Sequence, residues 1–171
     1  MNLSMINSQF SAERANEQAY RALRSSAEAV NWPGASAFFA NAAEEEKQHA
    51  ERVQAYIIDR NETPVFEALP AITPIDGKDY AGMFHKALEL EQANTARLNA
   101  LWVEADDVNP DPQTVAWLTN PEGEDWPGFI AEQTISEREL VDLLAKIERI
   151  GNDGLEVFDQ WLEEFINKER Y

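Results

Sequence analysis

Four stretches of this chain carry apolar side chains at steps of three, four or seven, and prolines or glycines stand in every gap between them. The spacing predicts helices over residues 4–31, 34–60, 79–105 and 128–150. Their stripes are Ile6, Phe10, Tyr20, Leu23, Ala27 and Val30; Phe39, Ala42, Val53 and Ile57; Phe84, Leu88, Leu98 and Trp102; and Phe129, Leu140, Leu143, Ile147 and Ile150. Trp32-Pro33-Gly34 ends the first helix, because proline disfavours helical geometry in the residue before it. So short a link makes the first two helices antiparallel. Residues 61–78 hold Pro64, Pro70, Pro74 and Gly77, so no helix runs through them. That stretch is long for a connection inside one domain, and it is long enough to return the chain along the whole side of a bundle. Residues 106–127 hold Pro110, Pro112, Pro121 and Pro127, with room for a short extra helical turn at 113–118. After the turn Gly151-Asn152-Asp153-Gly154, a short fifth helix is expected over 155–168, with Leu155, Phe158, Trp161, Leu162 and Phe165 apolar. Four helices spanning about 35–42 Å at the standard rise, joined by one long crossover, make an all-α four-helix bundle with a short C-terminal helix. The 171 residues are read as a single domain.

Composition removes several classes of function. With 14 Lys+Arg against 32 Asp+Glu, a formal charge of −18, the chain lacks the clustered cations that bind nucleic acid or an anionic membrane surface. It has no cysteine, so disulfides, thiolate metal sites and a cysteine nucleophile are excluded. Only His49 and His85 offer imidazole, and any transition-metal site must be mostly oxygen. No apolar run reaches about 18 residues, and the first residues do not read as a secretory signal. The expectation is a soluble cytoplasmic protein.

The telling residues are the polar ones that occupy the apolar stripes. The first stripe steps through Phe10, Glu13, Tyr20 and Leu23; the second through Phe39, Ala42, Glu46, His49 and Val53; the third through Phe84, Leu88, Glu91 and Leu98; the fourth through Phe129, Gln133, Ser136 and Leu140. Glu46 and His49 are three apart and share a helix face. His85 lies off its stripe and is expected at the surface. A buried carboxylate without a partner costs several kcal/mol or takes up a proton, and no Lys or Arg stands on these stripes. A cation between the helices resolves the conflict, and iron suits a shell of Glu with one His. Taken singly, each has a plainer reading: Glu44-Glu45-Glu46 as a solvated face, Tyr20 as a core tyrosine, Gln133 as a simple hydrogen-bonding group. Their coincidence at matched depth on four helices favours metal.

The chain resembles the non-haem ferritins of bacterial type over roughly residues 6–168. The residues that carry the likeness are Glu13 with Tyr20 seven positions on, Gly34-Ala35-Ser36-Ala37-Phe38 followed by Glu45-Glu46-Lys47-Gln48-His49-Ala50-Glu51, Leu90-Glu91-Gln92, and Glu132-Gln133. The resemblance implies a ferritin-like connectivity and a di-iron ferroxidase centre. Glu13, Glu46 and His49 would hold the first iron, and Glu46 would bridge to a second held by Glu91 and Gln133. Tyr20 would stand beside the centre as an electron donor or hydrogen-bond partner. It further implies oxidation of Fe²⁺ by O₂ or peroxide, and storage of Fe³⁺ as mineral in a homo-oligomeric shell of 24 subunits. The fourth helix carries no second Glu-x-x-His, which excludes a symmetric di-iron site, and no haem is expected. With Ile135 and Ser136 where many bacterial ferritins carry further Glu residues, a third iron site would rest on Glu45 and Glu132 alone. Acidic residues of the third-to-fourth-helix connection, Asp106, Asp107, Asp111, Glu122, Glu124 and Asp125, are candidates for guiding iron. The competing readings are a di-iron oxidase or oxygenase acting on an organic substrate, and a cage subunit without catalysis.

Overall fold

The structure, a computed structural model, describes residues 2–119 and 126–169. Among these residues every regular element is helical, without strands: α1 (Leu3–Ala29), α2 (Pro33–Asp59), α3 (Tyr80–Val103), α4 (Pro112–Thr119), α5 (Phe129–Ile150) and α6 (Leu155–Glu169). The four long helices lie within two residues of the expected limits, and the extra turn expected at 113–118 is α4. The end of α3 differs from expectation. There the helix loosens into a π-helical turn, Glu104–Val108, closed by the Asn109 N–H on the Glu104 carbonyl at 2.8 Å.

Both helices of the first pair stop by the same device. Asn31 (φ 63°) and Asn61 (φ 60°) take the left-handed conformation just past the helix end. The N–H of the next residue then reaches back, Trp32 to the Ala27 carbonyl and Glu62 to the Ile57 carbonyl, at 3.0 and 3.1 Å. This satisfies carbonyls that the helix end leaves open, and asparagine tolerates the backbone better than most side chains.

α1 packs along α2, and α3 along α5, with α1 also touching α3. Between α2 and α3 the proline-rich crossover runs up the outside of α1. The Val65 N–H donates to Asn7 Oδ1 (2.8 Å), Arg14 donates to the Glu67 carbonyl (3.3 Å), and Gln18 donates to the Pro70 carbonyl (3.4 Å). Phe66 meets Phe10 edge-on at 5.0 Å. At the far end Gly77 is pressed so close to α1 that a Cβ there would sit 2.1 Å from the Ser26 carbonyl oxygen. The crossover thus climbs the length of α1 and delivers α3 beside the starting end of α2.

The apolar core comes in two blocks. One contains Tyr20, Leu23, Phe39, Met83, Phe84, Leu140 and Ile147. The other contains Ile6, Phe10, Val53, Ile57, Leu98, Leu101 and Phe129. The expected stripes fall inside these blocks with few exceptions. Ile150, expected inward, is 38% exposed, because α5 ends there and α6 turns away. Trp161 and Phe165 are also open to solvent on the outer face of α6, whereas Phe158 and Leu162 face the core.

α6 closes one end of the bundle through a buried carboxylate. Asp159 accepts from the Gly34 N–H (2.9 Å), the Ala35 N–H (2.8 Å) and the Tyr80 hydroxyl (2.9 Å). Trp32, the residue preceding α2, supplies no side-chain cap, so Asp159 satisfies the open N–H groups of α2 from across the fold and meets the positive end of its dipole. Asp159→Ala strands two backbone donors and a hydroxyl in a dry site. We expect a loss of about 2–3 kcal/mol, read as a fall of about 5–10 °C in melting temperature, with Asp159→Asn intermediate. An unchanged melting temperature for Asp159→Ala would show that this latch holds nothing.

Candidate metal centre

Between the two apolar blocks all four long helices turn polar at one level. α1 contributes Gln9, Glu13, Asn16 and Tyr20, α2 contributes Glu46 and His49, α3 contributes Glu91 and Asn94, and α5 contributes Gln133. All are buried except His49, which is nearly so. The helical repeat explains the grouping. Gln9, Glu13, Asn16 and Tyr20 are spaced by four, three and four, as one face of a helix requires. Glu46 and His49, and likewise Glu91 and Asn94, are spaced by three.

Neutral amides and one hydroxyl hold the carboxylates in place. Gln9 donates to Glu13 Oε1 (2.5 Å) and to Asn94 Oδ1 (2.7 Å), and Asn16 donates to Glu46 Oε1 (3.1 Å). Asn94 donates to Gln133 Oε1 (3.1 Å) and lies 3.4 Å from Glu13 Oε2. Glu91 is gripped on both oxygens: Tyr20 donates its hydroxyl proton to Oε1, and Gln133 donates to Oε2 (2.5 Å). Three atoms of this layer, Gln9 Oε1 among them, are buried without any hydrogen-bond partner. The other two are Glu46 Oε2 and His49 Nδ1. They lie 3.5 Å apart, and Glu13 Oε2 is 4.0 Å from the same nitrogen. Glu13, Glu46 and His49 each offer one donor atom, all within 4.8 Å of one another. Two carboxyl oxygens and an imidazole nitrogen gathered this closely, with the Glu46 oxygen and the His49 nitrogen unpartnered, are a donor set that a borderline divalent cation takes.

The electrostatics say the same. Burial, and then the neighbouring Glu46, push the Glu13 carboxyl well above the usual carboxylate range. Burial, with repulsion from Glu91 and against hydrogen bonds from Glu13 and Asn16, pushes Glu46 up to about 8. Burial also raises Glu91, although Tyr20 and Gln133 favour its charged form. Burial alone would lower the His49 imidazole, but Glu132 and Glu13 overcome it and raise it. Burial thus favours the protonated form of these carboxyls, and any cation binding here would have to displace protons.

The structure brings all six expected residues, Glu13, Tyr20, Glu46, His49, Glu91 and Gln133, to this layer. The expected surface position of His85 is its position here. Ser136 lies lower on α5 and turns its hydroxyl back to the Glu132 carbonyl (3.2 Å). Glu45 is exposed, and Glu132 engages His49 Nε2 at 3.0 Å. Among the acids of the connection, Asp106 and Asp107 are exposed, whereas Asp111 is committed elsewhere. It is buried, paired with Arg60 (2.9 Å) and hydrogen-bonded by Thr114 (2.9 Å), contacts that outweigh burial and hold it below the usual carboxylate range. That structural commitment removes it from the residues available to guide iron. Glu122, Glu124 and Asp125 lie outside the described residues.

Glu46 gives a pH prediction with a definite sign. Its folded pKa lies above the ordinary 4.5, so its contribution is fully present below about pH 4.5 and is lost as the pH rises toward 8. In metal-free protein, Glu46→Gln should melt close to wild type at pH 5 and about 5 °C above it at pH 8. Thermal melts after chelation test this. Parallel curves for the two proteins across that range would contradict it.

Similarity to known proteins places the chain. The family model described as the ferritin-like domain matches residues 3–150. A ferritin of Pacifastacus leniusculus is 30% identical over 129 residues, covering 75% of this chain and 67% of that protein. A bacterial non-heme ferritin of Staphylococcus haemolyticus is 28% identical over 151 residues, covering 88% and 85%. Among solved structures, the open pore ferritin of the archaeon Archaeoglobus fulgidus superposes with a TM-score of 0.82 at 23% identity, over 94% of this chain and 93% of that one, a likeness of fold. The family match spans α1 to α5 and so takes in every helix that contributes to the polar layer: the chain belongs to the ferritin-like domain family.

Proposed function

We propose that this protein is a ferroxidase that stores iron. It takes up two Fe²⁺ as substrate between its helices, oxidises them with O₂ or peroxide, and retains Fe³⁺ as mineral inside a homo-oligomeric shell of 24 subunits in the cytoplasm. Glu13, Glu46 and His49 receive the first ion. Glu46 bridges to the second, beside Glu91 and Gln133. The observation that carries this reading is the pair of orphan atoms, Glu46 Oε2 and His49 Nδ1, buried side by side among carboxylates that cannot all be charged without a cation.

The chemistry asks three things of the chain. Metal entry must expel the protons that Glu13 and Glu46 hold, so binding strengthens as the pH rises. Once ionised, the three carboxylates favour Fe³⁺ over Fe²⁺, which lowers the cost of losing an electron. Each Fe²⁺ gives up one electron, and the pair together reduces O₂ with two protons to hydrogen peroxide, or peroxide with two protons to water. Tyr20 stands against Glu91 and Gln133 opposite it, so the second position keeps its carboxylate aimed inward by two donors from different helices. Outside the centre, the net charge of −18 per chain would give a closed shell a field that draws cations in.

Aerobic addition of Fe²⁺, followed by absorbance in the near ultraviolet, tests the site. Replacing both Glu46 and His49 by Ala should slow the fast phase by at least about 100-fold, the upper end of what outer-shell changes alone cost. Size-exclusion chromatography of wild type should give a mass near 24 times the 19.4 kDa chain. Oxidation by the double variant at the wild-type rate would refute the site, and a monomer or dimer would refute the shell.

A further inference from the structure

His49 presents two different faces to the protein. Nδ1 points at Glu46 Oε2 and Glu13 Oε2, at 3.5 and 4.0 Å, too far for a hydrogen bond and without a partner. Nε2 meets Glu132 Oε2 at 3.0 Å. That same carboxylate oxygen accepts the indole N–H of Trp126. Trp126 reaches it because the chain turns back at Gly128 (φ 89°), immediately before α5 begins at Phe129. The indole is then clamped. Arg52 lies over its face at 4.4 Å, Phe129 meets it edge-on at 4.7 Å, and the His49 ring is 6.1 Å away.

The hydrogen bonding fixes the imidazole. A neutral His carries one N–H, and a carboxylate oxygen at 3.0 Å from Nε2 requires it there. The lone pair then falls on Nδ1, facing the two carboxylates of the centre. The other tautomer would set a bare nitrogen against the Glu132 oxygen and a proton in the space between His49, Glu13 and Glu46. The Glu132 side chain is 25% exposed and that of His49 13%, so water competes weakly and the contact is effective. The indole N–H, donated to the same oxygen, keeps Glu132 turned to His49 and away from solvent.

We propose that Trp126 and Glu132 are positioning residues that lock His49 in the tautomer and ring orientation needed to bind metal through Nδ1. This rests on the metal-site reading of Glu13, Glu46 and His49. Glu132 acts through His49 and is not itself a ligand of the first ion.

Co²⁺ titration of the full chain tests the pairing, with affinity read by calorimetry and ligand geometry by the visible absorption of bound Co²⁺. Glu132→Leu should weaken binding about 10- to 100-fold and shift the spectrum, the usual cost of losing a carboxylate behind a metal-bound His. Glu132→Gln, whose amide oxygen still accepts from Nε2, should recover most of the affinity. Trp126→Phe should fall between Glu132→Leu and wild type. Should Glu132→Leu fail to fold, Trp126→Phe and Glu132→Gln give the same ordering on their own. Wild-type affinity and spectrum in Glu132→Leu or Trp126→Phe, alongside loss of Co²⁺ in His49→Ala, overturn the pairing. Loss of one whole Co²⁺ equivalent with the remaining affinity unchanged makes Glu132 a ligand and also overturns it. Unchanged binding in His49→Ala would instead refute the metal-site reading beneath it.

Discussion

Three carboxylates buried at one level of a helical bundle set the terms for everything around them. Glu13, Glu46 and Glu91 cannot all be ionised in a dry interior without compensation. Among the described residues, no lysine or arginine forms an ion pair with any of the three. What the chain offers is a shell of neutral donors: Gln9, Asn16, Asn94, Gln133 and the Tyr20 hydroxyl. These point N–H and O–H groups at carboxylate oxygens and fix their directions without cancelling their charge. Protons would make up the difference in a metal-free chain, and on the proposed function a bound cation would take their place. A salt bridge at the same place would have left no such deficit.

The fold serves this layer by enclosing it in apolar packing above and below. Each long helix is about 22 to 27 residues, so it has room for an apolar block on both sides of its polar turn. The two blocks hold the helices at fixed separation while the middle carries residues that repel one another. Crossover and latch do related work at the periphery. The crossover is tied to α1 by Asn7, Arg14 and Gln18 and fixes the direction of α3. Asp159 ties α6 to the start of α2 and to Tyr80, near the start of α3. Helix direction follows from these two devices, and with it the register that puts Glu46 and Glu91 at the same height.

Much of this was legible in the sequence. Helices, crossover and carboxylate positions follow from periodicity and proline, because an apolar stripe interrupted by Glu is a local signal. The amide shell was harder to see. Gln9, Asn16 and Asn94 are common residues on helix surfaces, and nothing in their chemistry marks them as buried. Their one signal was position, three or four residues from Glu13 or Glu91 on the same face. Asp159 and Arg60–Asp111 had no local signal, since each joins elements far apart in the chain. The same holds for Trp126, whose meeting with His49 depends on the turn at Gly128. Asp111 shows the reverse failure: it reads as one more acid in a charged connection until its burial against Arg60 and Thr114 gives it a structural task.

On the proposed function, the polar layer takes two metal ions. Anomalous diffraction at the iron edge, from crystals soaked anaerobically in Fe²⁺, would reveal them. Two peaks per chain are expected inside the bundle, one among Glu13, Glu46 and His49 and the other among Glu46, Glu91 and Gln133. Iron found only at surface carboxylates, with the interior layer empty at saturating Fe²⁺, would contradict that function.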